Sequence, residues 1–217
     1  MTMIPVHHDV ETESASLASR ILDMALLMAE ERGWKAVTLS GVARRLNVPP
    51  RAVLDAYRDL DAVANAWFLH GWHAMLADKP DGFDDWSAKD RIRHCLLAWF
   101  DAMAVHRRVT VQMLCTKMHP PHVHTWVPMM FDLSRTIQWL RETARLEAPY
   151  GSRQAQGEEI ALTALFLDTL RYWARDESSD QAETRRFLNR RLAYGDRLMR
   201  CLRCDGNKRQ RESSAVW

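Results

Sequence analysis

TLSGVARRLNVPPRAVLDAY, residues 38–57, decides how the rest of the chain reads. Thr38 can cap a helix, and Leu39, Val42, Ala43 and Leu46 follow at helical spacing on one face. Asn47 stands where a left-handed turn residue belongs, because its short polar side chain tolerates positive φ. Val48 fills the angle between two helices. Pro49 and Pro50 suit the start of the second, where a missing N–H costs nothing. Ala52, Val53, Ala56 and Tyr57 give that helix a buried side. Two short helices crossing around a tight turn make a helix-turn-helix, whose second helix is sized for the major groove.

Working outward, ASRILDMALLMAEERGWKAV (18–37) supplies a helix from about Ala15 to Arg32, with Leu17, Ile21, Leu22, Met24, Ala25 and Met28 as its apolar stripe. Gly33 ends it, and Trp34 is expected to fold back on the motif. An apolar helix, then Gly, an aromatic and a small residue before the capping Thr resembles the TetR family of one-component repressors. The resemblance covers Ser19 to about Met75 and continues loosely, as a helical ligand domain, to about Leu202. It implies an all-α, TetR-like fold: a three-helix helix-turn-helix domain followed by a helical ligand-binding and dimerisation domain. It also implies double-stranded DNA and a small hydrophobic effector as partners, and a homodimer through helices 158–176 and 180–203. Thr38, Arg44, Arg45, Arg51, Ala52, Leu54, Asp55, Tyr57 and Arg58 are the DNA-binding residues it points to.

The chain departs from that family where phosphates are held. The family usually carries Ser or Thr at the position of Pro49, Gly at Arg51, Tyr at Leu54, His at Ala56 and Lys at Leu60. Here Asp55, Asp59 and Asp61 crowd the region, leaving Arg44, Arg45, Arg51, Tyr57 and Arg58 as donors. Residues 1–75 hold seven Lys/Arg against nine Asp/Glu, whereas residues 181–217 hold ten against four. A DNA-binding surface draws much of its affinity from phosphate neutralisation, so the basic footprint is expected on the motif. It lies instead at the other end of the chain.

With 217 residues, of which 47% are apolar, the chain can bury a sizeable core. Few β-branched runs leave no convincing strand, and no apolar run is long enough to span a bilayer. The first residues lack the basic and apolar regions of a signal peptide, and four Cys suit a reducing compartment, so a cytoplasmic location is expected. Residues 1–14 read as a polar, disordered arm, 15–77 as the helix-turn-helix domain with a connecting helix from Leu60 to about Ala77, 78–204 as the second domain and 205–217 as a basic tail. DKPDGFDDWS (78–87) marks the boundary.

Beyond it, helices are expected over Asp90–Ala104, Val109–Met118, Val123–Leu146, 158–176 and from Asp180, the last with Glu183 placed for a capping-box contact. Phe100, Met103, Met113, Trp126, Met129, Met130, Trp139, Phe166 and Trp173 are large and soft, and spread over several helices. They read either as plain core or as the lining of an apolar cavity for the effector. His119 to His124 (HPPHVH) and the Cys201/Cys204 pair have metal-ligand spacing, but a surface His loop and a single Cys pair favour a structural reading; no metal and no cofactor are expected. Phosphate loops, nucleophile elbows and paired-carboxylate motifs are missing, and Asp168 is explained by Arg171 at i+3, so the chain reads as no enzyme.

LRYWARDESSDQAETRRFLNRRL (170–192) carries a second resemblance, to the TetR-fold accessory proteins of ubiquinone biosynthesis, which bind lipid instead of DNA. The expectation is therefore a dimeric TetR-type repressor released by a small apolar ligand. A lipid- or isoprenoid-binding accessory protein with a degenerate helix-turn-helix is the alternative.

Overall fold

The computed structural model describes the backbone of residues 7–118, 123–149 and 151–197, and the side chains of 16–118, 128–149 and 151–197. Every regular element among them is helical. In chain order these are α1 (His7–Arg32), α2 (Leu39–Leu46), α3 (Pro50–Ala56), α4 (Leu60–Leu76), α5 (Ala88–Ala104), α6 (Arg107–Lys117), α7 (Val123–Thr143), α8 (Arg153–Trp173) and α9 (residues 182–197), with short 3-10 turns at Trp34–Ala36, Phe83–Asp85 and Ser179–Gln181. The expected all-α fold is what forms.

Two compact units share the chain: residues 1–74 with 99–132, and residues 75–98 with 133–217. This corrects the division at 78–87. Residues 99–132, assigned to the second domain from sequence, belong with the helix-turn-helix because α6 is bonded to that unit at several points. Its Thr110 Oγ1 accepts from Trp67 Nε1 of α4 at 2.8 Å, and its Gln112 Oε1 accepts from the backbone N–H of Trp34 at 2.6 Å. Lys117, buried at the end of α6, donates to Asp61 and, at 2.8 Å, to Asn65 on α4. Arg108 and His106 both reach Glu30 on α1. Residues 78–87 are likewise no bare linker. Phe83 is buried and packs against Trp86 and His94, while Arg91 gathers the carbonyls of Asp84, Trp86 and Ala144.

The first unit's core follows the helical stripes. Ile21, Ala25, Ala29, Val42, Ala43, Val53, Val63 and Trp67 are buried, and Trp34 folds back among them as expected. α4 passes close to Trp99: a Cβ at Gly71 would lie 2.6 Å from the indole Nε1, so only glycine fits there. α1 starts at His7 and not near Ala15, which corrects the expected arm over 1–14. Pro5 is the last helix breaker before it, and HHDVETES offers nothing to stop a helix.

In the second unit Leu96, Ile137, Leu140, Leu162, Phe166, Trp173 and Leu188 make the core. α8 begins at Arg153, five residues before the expected start at 158, because Ser152 caps it by accepting from Ala155 N–H at 3.1 Å. α9 is capped differently from expectation. Asp180 takes a left-handed φ of 52°, and the orphan N–H groups of α9 go instead to Ser178 and Asp176. The Glu183 carboxylate accepts from the Tyr172 hydroxyl at 3.2 Å and makes no capping box.

Candidate functional site

The helix-turn-helix backbone is built as its sequence specifies. Thr38 Oγ1 accepts from Gly41 N–H at 3.1 Å and starts α2. Asn47 closes α2 in the left-handed region (φ 54°, ψ 44°), with Val48 N–H bonded back to Ala43 O at 3.0 Å. Pro49 then caps α3 in an extended conformation and Pro50 occupies its first turn. α3 is only seven residues long. Val53 is its buried anchor, Ala52 and Ala56 are half-buried, and Arg51, Leu54 and Asp55 point outward.

The charges on this surface cancel. Arg45 forms a two-pronged pair with Glu31 of α1, at 2.8 and 2.5 Å. That hydrogen bonding holds the Glu31 carboxyl below its ordinary range and Arg45 above its own. Arg51 faces Asp55 one turn on, at 3.9 Å, and Arg58 meets Asp59 at 3.3 Å. Arg44 is exposed and is the one candidate arginine without an ion pair among the described residues. Tyr57 caps the end of α3 half-buried, and burial pushes its phenol pKa up. Of the three aspartates singled out from sequence, Asp61 turns inward to the buried Lys117, and Asp59 caps α4 by accepting from Ala62 N–H at 2.7 Å. Asp55 and Asp59 are the two left facing outward beside the arginines. A phosphate approaching α3 would have to displace a carboxylate from each of Arg51 and Arg58. Leu54, 57% exposed, brings an apolar side chain to the same surface.

The nine apolar ligand candidates do not form one cluster within either unit. Phe100, Met103 and Met113 lie in the first unit and are fully buried core. Met129 and Met130 belong to the same unit, half-buried and exposed, whereas the Trp126 side chain is outside the described residues. Trp139, Phe166 and Trp173 fall in the second unit. Trp139 is 43% exposed there, while Phe166 and Trp173 are core, with Trp173 Nε1 donating to Gln181 Oε1 at 2.5 Å. The His119–His124 side chains and Cys201/Cys204 lie outside the described residues; among those described, no group of His, Cys, Asp or Glu could hold a metal ion. No described helix is long and apolar enough to cross a membrane.

Sequence reasoning missed the polar corner where α8 turns into α9. Asp176, 4% exposed, accepts from Ser178 N–H and Oγ at 2.8 and 2.5 Å with one oxygen, and from Thr184 N–H and Oγ1 at 2.8 and 2.5 Å with the other. Burial alone would push this carboxyl up, but the four hydrogen bonds outweigh it and hold its pKa at about 2. The visible signal was the Asp-x-Ser spacing ahead of an amphipathic stretch, DESSDQAET, which marks a helix entry. Asp168 is also corrected: its partner is Arg191 of α9, at 2.5 Å, and not Arg171.

A helix-turn-helix unit joined to an all-helical remainder is the build of a one-component regulator fold. The comparisons give that class its family. A TetR transcriptional regulator from Nitrosomonas europaea is 36% identical, with 82% of this chain and 97% of that one covered, at a TM-score of 0.72. The chain therefore belongs to the TetR family. A regulatory protein of the tetR family from Rhodococcus RHA1 is 23% identical, with 81% of this chain and 95% of that one covered, at a TM-score of 0.48. The sequence model of the COQ9 family matches residues 160–198. The search of curated proteins gives no match.

Proposed function

We propose that this chain is a TetR-fold accessory protein that binds a hydrophobic ligand of the lipid or isoprenoid class and keeps its helix-turn-helix as scaffold. The observation that carries this reading is the cancelled charge on α2, on α3 and just beyond it, where Arg45, Arg51 and Arg58 each meet a carboxylate. Neutralised side chains release few counterions from a duplex, so the main source of DNA affinity is lost. The COQ9 match over 160–198 supports it, because it contains the stretch 170–192 that resembles the accessory proteins of ubiquinone biosynthesis. Trp139, Phe166 and Trp173, which share the second unit with the matched segment, are the residues proposed to meet the ligand. Mass spectrometry of an organic extract of natively purified protein tests this. A co-purifying lipid or isoprenoid is expected; a bare protein that also takes up nothing from isoprenoid-doped phospholipid vesicles would overturn it.

A second reading is a DNA-binding repressor released by a small apolar effector. It is favoured by the 36% identical regulator and by the intact turn geometry around Asn47, with Arg44 free of carboxylates among the described residues. Both readings include a homodimer through 158–176 and 180–203. Ile160 (72% exposed) and Leu167 (44%) share the outer face of α8 with exposed Ala161 and Ala164, an apolar stripe suited to a second copy. Sedimentation of a Leu167→Glu variant is expected to give a monomer where the parent gives a dimer.

A further inference from the structure

Three rings close on one another where the 78–87 turn meets α5. Phe83 and Trp86 have centroids 5.4 Å apart, and the His94 imidazole is T-shaped to both, 5.6 Å from each, at 64° and 83°. Phe83 is buried, and Trp86 and His94 are half-buried. His94 makes no hydrogen bond among the described residues, so the two rings are what it packs on. All three residues belong to the second unit, and none lies in the helices assigned to the homodimer. The turn also ties neighbouring elements together. Asp84 pairs with Arg145, just after α7, at 2.6 Å, and Arg91 of α5 donates to the carbonyls of Asp84, Trp86 and Ala144. Lys79 donates to Met75 O of α4 at 2.5 Å.

A neutral imidazole packs on such rings as another aromatic does. An imidazolium is a charge with two N–H donors, and burying it without partners is costly. The charges around His94 do not help it. On the turn, the Lys79 ammonium already stands 5.9 Å from the centroid of the Phe83 ring that His94 touches, and Arg93 follows on its own helix side. The carboxylates are engaged or turned to water. Asp84 is held by Arg145, and Asp90, one turn before His94, by Ser87 Oγ at 2.5 Å and by Arg93 at 3.6 Å. Asp78, Asp81 and Asp85 are exposed. Burial first, then Lys79 and Arg93, hold the His94 imidazole below its ordinary range.

We infer that His94 is an acid-sensitive latch: neutral, it holds the 78–87 turn on α5, and protonated, it lets the turn and its grip on Arg145 loosen. A histidine held below its ordinary 6.5 contributes stability that is present above that pH and is lost as pH falls below it. Amide hydrogen exchange of the full-length protein, expressed as protection factors so that the intrinsic rate drops out, is compared at about pH 7.5 and about pH 5. The amides of Phe83, Asp85 and Trp86, which are bonded within the turn, are expected to lose at least about threefold in protection at the lower pH, and the α2 amides less. His94→Gln and His94→Phe, neither of which titrates, are expected to abolish that difference. The His94 imidazole proton signal, identified in NMR spectra by its loss in His94→Gln, should titrate with a midpoint below 6.5. Turn protection that ignores pH in the parent, a loss that survives in both variants, or a His94 midpoint at or above 6.5 would overturn the inference.

Discussion

At the helix-turn-helix, arginines meet carboxylates on the outside: Arg51–Asp55 and Arg58–Asp59 are exposed pairs, and Arg45–Glu31 is only partly covered. At the α8–α9 corner a carboxylate goes inside, where Asp176 takes four hydrogen bonds from two residues. Water competes for the first kind of contact and not for the second. Surface pairs therefore add little to stability and change what the surface can bind, whereas the buried cap fixes the chain's path into α9. The corner lies in the segment that the COQ9 family model matches, and the surface pairs lie where TetR-like proteins are expected to hold phosphates. Both regions fix their backbone by capping, and they differ in whether the carboxylates face water or the interior.

The largest expected effect is at the corner. Asp176→Ala leaves the Ser178 and Thr184 donors without an acceptor and is expected to cost about 3 kcal/mol in urea unfolding near neutral pH. The pH dependence has a definite sign. A folded pKa of about 2, below the ordinary 3.8, means the contribution is present above about pH 4 and is lost as pH falls towards 2. Its size is on the order of 2 kcal/mol, so the gap between parent and Asp176→Asn should close over that window. Gly71→Ala comes next. Its Cβ would press on the buried Trp99 indole, and a loss of about 1–3 kcal/mol is expected by the same unfolding measurement. Thr38→Ala removes the α2 cap and should cost about 1 kcal/mol. Arg45→Gln, which breaks an exposed pair, is expected to leave the melting temperature within the scatter of ordinary surface substitutions. If Arg45→Gln proved as costly as Asp176→Ala, the contrast between the regions would fail.

Much of this was legible in local chemistry. Thr38, Asn47 and Pro49-Pro50 specify a turn through short-range sterics and capping, and the backbone follows them residue by residue. Trp34 folds back because a large apolar ring beside the motif has nowhere else to be buried. Tertiary choices were less legible. Nothing in VTVQMLCTK announces that Thr110, Gln112 and Lys117 bond to α4 and to the Trp34 turn, since long-range partners leave no periodic trace. Asp180 looked like the natural cap for α9, yet Asp176, four residues earlier, does the work because burial strengthens its bonds. Ion pairing was only half visible: the acids near Arg51 and Arg58 could be counted, but Asp61 turning inward to Lys117 could not.

Binding of the full-length protein to duplex DNA from its own gene's upstream region, followed across a salt series, probes the cancelled surface most directly. Binding no tighter than about 10 μM at about 50 mM salt is expected, and Asp55→Asn/Asp59→Asn, which keeps an acceptor for the α4 cap, should tighten it about tenfold. Sub-micromolar binding by the parent protein, weakening with salt as though about four or more phosphates were neutralised, would contradict the reading of the helix-turn-helix as scaffold.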